Sequence, residues 1–128
     1  MTGAQAIYQS HSVVTAGPAR LVGMLYEKAI ELCDTAAEDL RAGVFDPSAI
    51  HEMLTRTQRI VLELELALDH DRGGDISVSL ASLYEFCRAR LVEANVAKDF
   101  RPLADVGQVL RDLREAWDVV ECEVEGAA

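Results

Sequence analysis

Apolar residues recur at alternating intervals of three and four along most of this chain, and that spacing most strongly limits its fold. One such stripe consists of Ile50, Leu54, Thr57, Val61, Leu64 and Leu68. Two more are Ile76, Leu80, Leu83, Cys87, Leu91 and Ala94, and then Leu103, Val106, Leu110, Leu113, Trp117, Val120 and Val124. Residues at this spacing share one face of an α-helix, so each stripe predicts a helix with an apolar side. No segment alternates in the manner of a β-strand, and the sequence predicts an all-α fold.

Prolines and glycines divide the chain into four helical segments. Pro18, Pro47 and Pro102 each precede a periodic run, where proline suits the first helical turn, and Gly43 and the Gly73-Gly74 pair mark helix ends. The predicted helices are 18–42, 47–71, 75–98 and 102–123. Because the connections are short, we expect an antiparallel up-down four-helix bundle over residues 17–124. A flexible N-terminal arm (1–16) precedes it and a frayed tail (125–128) follows it.

The predicted helices carry more apolar residues than one interior can hold. The surplus residues are Met53, Ile60, Leu62, Leu66, Val78, Tyr84, Phe86, Val92, Val96, Val109 and Val119. Some of them widen the core, but together they predict apolar surface for a partner, a second subunit or the chain's own arm. The arm contains an apolar and aromatic patch at Ile7 and Tyr8, which suits a tethered peptide that covers a groove.

Composition excludes several classes of partner and compartment. The 128 residues include 12 Lys and Arg against 22 Asp and Glu, a net charge of −10. Nucleic acids and anionic membranes require clustered cations, so neither is an expected partner. Three cysteines without a CxxC motif favour free thiols, and residues 1–12 do not resemble a secretory signal. No apolar run is long enough to insert into a membrane. We therefore expect a cytoplasmic protein.

The sequence offers little support for catalysis, metal binding or a cofactor. His51 begins a sequence like the zincin motif but lacks the second histidine, and the loop that starts at Asp69 has Leu80 where an EF-hand requires glutamate. A histidine phosphotransfer bundle would need a lysine near an exposed histidine, and neither Lys28 nor Lys98 is adjacent to one in the sequence. We predict that the protein is not an enzyme and holds neither metal nor cofactor.

Four short motifs, in order along the chain, match one known family. The first is Tyr8-Gln9, then Val13-Val14-Thr15-Ala16-Gly17-Pro18, then Met24-Leu25-Tyr26 and Ala29-Ile30. The others are Leu68-Asp69 with Gly73-Gly74-Asp75-Ile76 and Leu83-Tyr84, then Leu91-Val92-Glu93-Ala94-Asn95, and then Leu113-Arg114-Glu115-Ala116-Trp117. In these residues the chain resembles the FliS-type flagellar secretion chaperones. It departs from them at Gly17, where the family prefers a residue with a capping oxygen.

The resemblance implies a cytoplasmic chaperone for newly made flagellin. Such a protein holds the disordered C-terminal segment of flagellin, prevents premature polymerisation and delivers the subunit to the export gate of the flagellar type III apparatus. A disordered amphipathic segment that folds into apolar grooves would also account for the surplus apolar residues.

The predicted partner-binding residues lie in the arm and on three helices. They are Ile7, Tyr8, Ile60, Leu64, Leu68, Leu80, Tyr84 and Val109. Leu64, Leu68 and Leu80 lie on the apolar stripes, which favours the core over binding, whereas Ile60, Tyr84 and Val109 lie off them and are favoured for binding. Assigned to the core are Leu21, Met24, Leu25, Ile30, Leu113 and Trp117. One alternative remains open, a homo-oligomeric helical bundle, such as a dimer joined through the surplus surface, that acts as an interaction or regulatory module with another partner.

Overall fold

The chain forms a four-helix bundle. The computed structural model describes the backbone of residues 16–127 and the side chains of residues 20–119. Its helices are α1 (Ala16–Ala42), α2 (Pro47–Leu66), α3 (His70–Ala97) and α4 (Arg101–Ala127), and the described residues contain no β-strand. The all-α prediction is confirmed. No helix within residues 16–127 combines the length and apolar character of a membrane span. The predicted arm lies almost wholly outside the described residues.

The helices form a ring in which each packs on two neighbours. Helix α1 contacts α2 and α4, and α3 contacts the same two helices. Two ion pairs show that α1 and α4 are antiparallel. Arg114 pairs with Glu27 and Arg111 pairs with Asp34, so residue numbers fall along α4 in the direction in which they rise along α1. One end of the bundle contains the connections 43–46 and 98–100, and we call it the closed end. The other contains the start of α1, residues 67–69 and the end of α4, and we call it the open end.

The core follows the apolar stripes, with one change of register on α3. Its fully buried members include Ile50, Leu54, Leu64, Leu91, Leu103 and Leu110. On α3, however, Tyr84 is fully buried while Leu83 is 37% exposed. Both residues lie three or four positions from Leu80 and from Cys87, so the spacing alone fits either one. Tyr84 can be buried because its hydroxyl lies 2.5 Å from the hydroxyl of Tyr26 on α1.

The boundary between α2 and α3 differs from the prediction. Helix α2 ends at Leu66 rather than near 71, and α3 begins at His70, with Gly74 as a kink inside it at φ 51° and ψ −126°. The cause is local, since the Asp69 side chain caps α3 by accepting a hydrogen bond from the Arg72 N–H at 3.3 Å. The glycine pair therefore follows the first turn of α3 and does not end α2. At the other terminus, α4 reaches Ala127, so its predicted end near 123 is too early.

The early end of α2 leaves one side of the open end short of cover. Helix α2 has 20 residues against 27 or 28 in the other three helices, a difference of about 10 Å at 1.5 Å per residue. As a result, the side chains on the flank of α1 that faces away from α4 become more exposed towards the open end. Leu32 is 6% exposed, Leu25 is half-buried, and Leu21 is 52% exposed.

Candidate interaction surface on helix α3

Helix α3 carries exposed apolar residues on both of its flanks. Among the described side chains, the large apolar residues exposed on α3 are Ile76, Val78, Leu83, Phe86, Val92 and Val96. The other helices carry fewer, namely Leu21 and Met24 on α1, Leu62 and Leu66 on α2, and Val119 on α4. A helix that is apolar on more than one side usually has a partner on each of them. We therefore take α3 as the centre of the candidate site.

The flank of α3 that faces α2 is located by two polar contacts. The guanidinium of Arg88 donates to the Glu65 carboxylate at 2.8 and 2.9 Å, and the Asn95 amide lies 2.9 Å from Nδ1 of His51. Val92 follows Arg88 by one turn and is 50% exposed, and Leu62 on α2 is 38% exposed. We call the apolar residues on this side, Leu62, Leu66, Val78, Val92 and Val96, the α2–α3 surface.

The flank that faces α4 is located by Arg90, whose Nη2 lies 2.8 Å from the Asp105 carboxylate of α4. Leu83 lies seven residues before Arg90 and Phe86 lies four before it, so they extend the same flank towards the open end. Phe86 is 43% exposed, and Val109 and Leu113 of α4 are partly buried against the core. We call Ile76, Leu83, Phe86, Val109 and Leu113 the α3–α4 surface.

The predicted binding residues have very different exposures. Leu64 and Tyr84 are fully buried and Leu68 is 6% exposed, so in this conformation all three are core residues. The expectation that Tyr84 lies off the core stripe is wrong, for the reason of register given above. Ile60, Leu80 and Val109 are partly buried and pack against the core, which leaves part of each side chain accessible. Ile7 and Tyr8 lie outside the described residues. The binding role of all eight remains a prediction.

Two residues assigned to the core are exposed. Leu21 is 52% exposed because it lies near the start of α1, beyond the level that α2 covers. Met24 is 54% exposed because it shares the outer face of α1 with the exposed Glu31 and Thr35. Leu25, Ile30 and Leu113 pack against the core and Trp117 is buried. Conversely, sequence analysis did not select Phe86 and Val92 as binding residues, although both stood among the surplus apolar positions. The available signal was their place on α3 away from the core stripe.

The described thiols are buried and held in their neutral form. Burial, and secondarily the neighbouring Asp34 carboxylate, raises the pKa of Cys33 to about 12, and burial raises the pKa of Cys87 to about 11. The Sγ of Cys33 lies 3.6 Å from the Leu103 carbonyl. Among the described residues no Cα of α1 lies within 8 Å of a Cα of α3. A disulfide needs Cα atoms within about 7 Å, so these thiols cannot be bridged without backbone movement.

Many of the remaining polar side chains of the described residues form ion pairs, helix caps and other hydrogen bonds. Within the described residues, no three His, Cys, Asp or Glu side chains come together in a way that could hold a metal ion. An open depression of about 570 Å³ at the closed end is lined by Leu40, Ala97, Lys98, Asp99, Phe100 and Arg101. There the Arg101 guanidinium donates to the Asp99 carboxylate at 2.9 Å, and these hydrogen bonds lower the pKa of Asp99. Among the described residues, the exposed apolar surface of α3 is therefore a stronger candidate for a binding site than these polar groups.

The fold and these surfaces define a class of protein, a helical bundle that displays apolar flanks on one helix. Comparison with known proteins gives the particular family. The family described as "Flagellar protein FliS" matches residues 1–124. The flagellar secretion chaperone FliS of Bacillus subtilis (strain 168) is 34% identical over 110 residues, which cover 86% of this chain and 80% of that protein. The chain belongs to the FliS family, and the resemblance in its motifs is confirmed.

Other relatives extend this result to distant bacteria. The flagellar secretion chaperone FliS of Salmonella typhimurium is 32% identical over 107 residues, covering 83% of this chain and 78% of that protein. The protein of the same name in Vibrio cholerae is 30% identical over 127 residues, covering 96% of this chain and 92% of its own. The similarity thus extends over almost the whole bundle rather than a single motif.

Proposed function

We propose that this protein is a cytoplasmic flagellar export chaperone that binds the C-terminal segment of newly made flagellin. It keeps that segment from polymerising and delivers the subunit to the flagellar export gate. The observation that carries the proposal is the exposed apolar surface on both flanks of α3, in a chain that belongs to the FliS family.

Two flanks of one helix suit a client that is disordered before it binds. A flexible segment places apolar side chains along one groove, turns, and follows the next, forming helix as it docks. The α3–α4 surface offers an aromatic anchor in Phe86, and aromatic side chains in partly enclosed positions often dominate binding energy. The α2–α3 surface is more aliphatic, with Val92 and Leu62 at its centre. We propose these two surfaces, together with Ile60 and Leu80, as the client contacts.

The N-terminal arm is proposed to compete for the same surfaces. Helix α1 begins at Ala16, at the open end, where Leu21, Met24, Leu66 and Ile76 are all exposed. A segment that carries Ile7 and Tyr8 is therefore tethered close to unpaired apolar surface. Removal of residues 1–15 should tighten client binding if the arm occupies the groove. Unchanged client affinity together with unchanged export would rule the arm out.

Titration calorimetry with the C-terminal segment of the same organism's flagellin tests the main proposal. We expect one-to-one binding, a negative heat-capacity change and a gain of helix in circular dichroism. Phe86→Ala should weaken binding by about tenfold or more, the effect of removing a well-placed anchor. Absence of heat at several temperatures, with the peptide still unfolded beside a folded bundle, would refute it.

A matched pair of valine substitutions separates specific docking from general loss of apolar surface. Val92→Ser lies on the α2–α3 surface, and Val44→Ser lies in the α1–α2 connection at the closed end, 87% exposed. Only the first should weaken client binding, while both should leave the thermal midpoint nearly unchanged. If light scattering instead shows a permanent dimer that the α3 substitutions dissociate, the surfaces serve self-association.

A further inference from the structure

The corner between α2 and α3, residues 67–77, is attached to the bundle at only a few points. Ala67 and Leu68 are buried at its start, and Ser77 is buried at its end. Between them no residue is buried, and Ile76 is 71% exposed. Leu66, directly before the corner, is 62% exposed. The only apolar side chain of the corner larger than alanine that belongs to the core is therefore that of Leu68.

A hydrogen bond joins the two attachment points. The Ser77 hydroxyl donates to the Asp69 carbonyl at 3.1 Å, and that carbonyl also accepts from the Gly73 N–H at 2.8 Å. The Asp69 carboxylate in turn accepts from the Arg72 N–H. A buried serine thus stands where a helix of a bundle normally places an apolar side chain. The corner is held by polar contacts more than by apolar burial.

The two glycines adapt the backbone to this arrangement. Gly74 has φ 51° and ψ −126°, a conformation that residues with a Cβ rarely adopt. A Cβ on Gly73 would lie 1.7 Å from the Ser77 hydroxyl oxygen and 2.9 Å from its Cβ, so the hydrogen bond of Ser77 requires a glycine one turn before it. The glycine pair therefore supplies both a pivot and the space for the serine contact.

We propose that residues 67–73 of the corner form a latch that opens as a unit, pivoting at Gly74, while the rest of the bundle remains folded. Opening breaks the Ser77–Asp69 hydrogen bond and withdraws Leu68 from the core. The space vacated by Leu68 belongs to the same core cluster as Leu64 and Tyr84 and admits an apolar side chain of the client in its place. Segments with little apolar burial open at a lower free energy than the whole domain, which is the physical basis of the latch. Its role towards a client rests on the proposed function.

Amide hydrogen exchange on the full chain without client tests the latch directly. Amides of residues 69–78 should exchange by a route that is insensitive to low denaturant, whereas those of 84–97 should exchange only by global unfolding. Ser77→Ala should speed exchange at 69–78 about three- to tenfold, the usual effect of one lost hydrogen bond, and leave 84–97 unchanged. Gly73→Ala should act in the same direction. The matched control is Ser79→Ala, an exposed serine on the same helix.

Two results would overturn the latch. One is exchange of the corner only through global unfolding, and the other is an equal acceleration of 69–78 and 84–97 by Ser77→Ala. For the role towards a client, Ser77→Ala should tighten apparent client binding about three- to tenfold, because a larger fraction of molecules is already open. Unchanged affinity with a confirmed local opening would refute that role. Failure of the unmodified protein to bind flagellin would refute the proposed function and leave the exchange result standing.

Discussion

The two ends of the bundle differ in how the connections between their helices are held in place. At the closed end, the Asp46 carboxylate accepts from the Ser48 N–H at 2.9 Å, and Asp99 accepts from the Arg101 N–H at 3.0 Å. Arg41 lies over the Phe100 ring at 4.8 Å, and Ile50 and Leu103 fill the core beneath. Both connections are thus secured by capping oxygens above a filled interior.

At the open end, helix α2 ends early and its connection to α3 relies on Leu68 and Ser77. Apolar side chains remain exposed around it on all four helices: Leu21, Met24, Leu66, Ile76, Val78 and Val119. Capped connections and most of the exposed apolar surface therefore lie at opposite ends of the bundle, although Val44 and Val96 are exposed at the closed end. A chaperone needs both, because it must stay folded while it presents apolar surface to a client.

Two isoleucines test this division with the same substitution at each end. Ile50 at the closed end is 1% exposed and Ile76 at the open end is 71% exposed. Ile50→Ala should lower the free energy of unfolding by about 2–5 kcal/mol, the range for truncating a buried isoleucine. Ile76→Ala should change it by less than about 0.5 kcal/mol. Urea denaturation measures both, and similar losses at the two sites would contradict the division.

The buried thiols of Cys33 and Cys87 test the packing of the core between the two ends, because they make the free energy of unfolding depend on pH. A thiol that is buried as the neutral form ionises more readily in the unfolded chain, so stability should fall as pH rises above about 9, the ordinary thiol pKa. The loss should continue towards pH 11 for Cys87 and 12 for Cys33, the raised values in the folded state. Each thiol contributes a slope of up to about 1.4 kcal/mol per pH unit.

The control for this experiment is Cys33→Ala combined with Cys87→Ala, since tyrosines and lysines titrate equally in both proteins. The difference in unfolding free energy between the two proteins should be constant below pH 8 and should shrink above pH 9. A constant difference across that range would show that the thiols are not buried as described.

Sequence reasoning found the fold from apolar spacing, and its errors have definite physical causes. It placed Leu83 in the core and Tyr84 outside, because a spacing of three and four fits both; only the partner hydroxyl of Tyr26, 58 residues away, selects the tyrosine. It extended α2 past Leu66, because a glycine pair is a stronger helix-ending signal than a single capping aspartate. Asp69 was present in the local sequence, but its hydrogen bond with the Arg72 N–H is known only from the folded chain.

The candidate site was harder to predict than the fold for a related reason. Exposure at Leu21 depends on where α2 ends, which no residue of α1 encodes, whereas Met24 shares its helix face with the exposed Glu31 and Thr35. Phe86 and Val92 were recognisable as surplus apolar residues, but their division between two flanks follows from Arg88 and Arg90, whose partners lie on different helices. The presence of surplus apolar residues could be predicted from the sequence, whereas their positions on the surface could be found only from the packed bundle.

A pair of glycines offers a sharper test of how the two ends differ. Gly43 at φ 78° and Gly74 at φ 51° both have open space where a Cβ would lie, so alanine causes strain without a clash. Gly43→Ala should lower global stability by about 1–2 kcal/mol, because it strains a connection that stays closed. Gly74→Ala should instead appear mainly as faster local exchange at 69–78. A global loss at Gly74 as large as that at Gly43 would contradict the distinction.

The smallest expected effects come from two charged contacts, one at the closed end and one near the middle of the bundle. Arg41 and Phe100 should show a coupling of about 0.5–1 kcal/mol in a double-mutant cycle of Arg41→Ala and Phe100→Leu, as for an exposed cation above an aromatic ring. The Arg114–Glu27 pair, 2.8 Å apart and partly exposed on both sides, should show about 0.2–1 kcal/mol at low salt. About 1 M salt should abolish the latter. Because either coupling is small beside the loss expected at Ile50, a larger value at Arg114–Glu27 would mean that electrostatics rather than apolar packing holds α1 and α4 together.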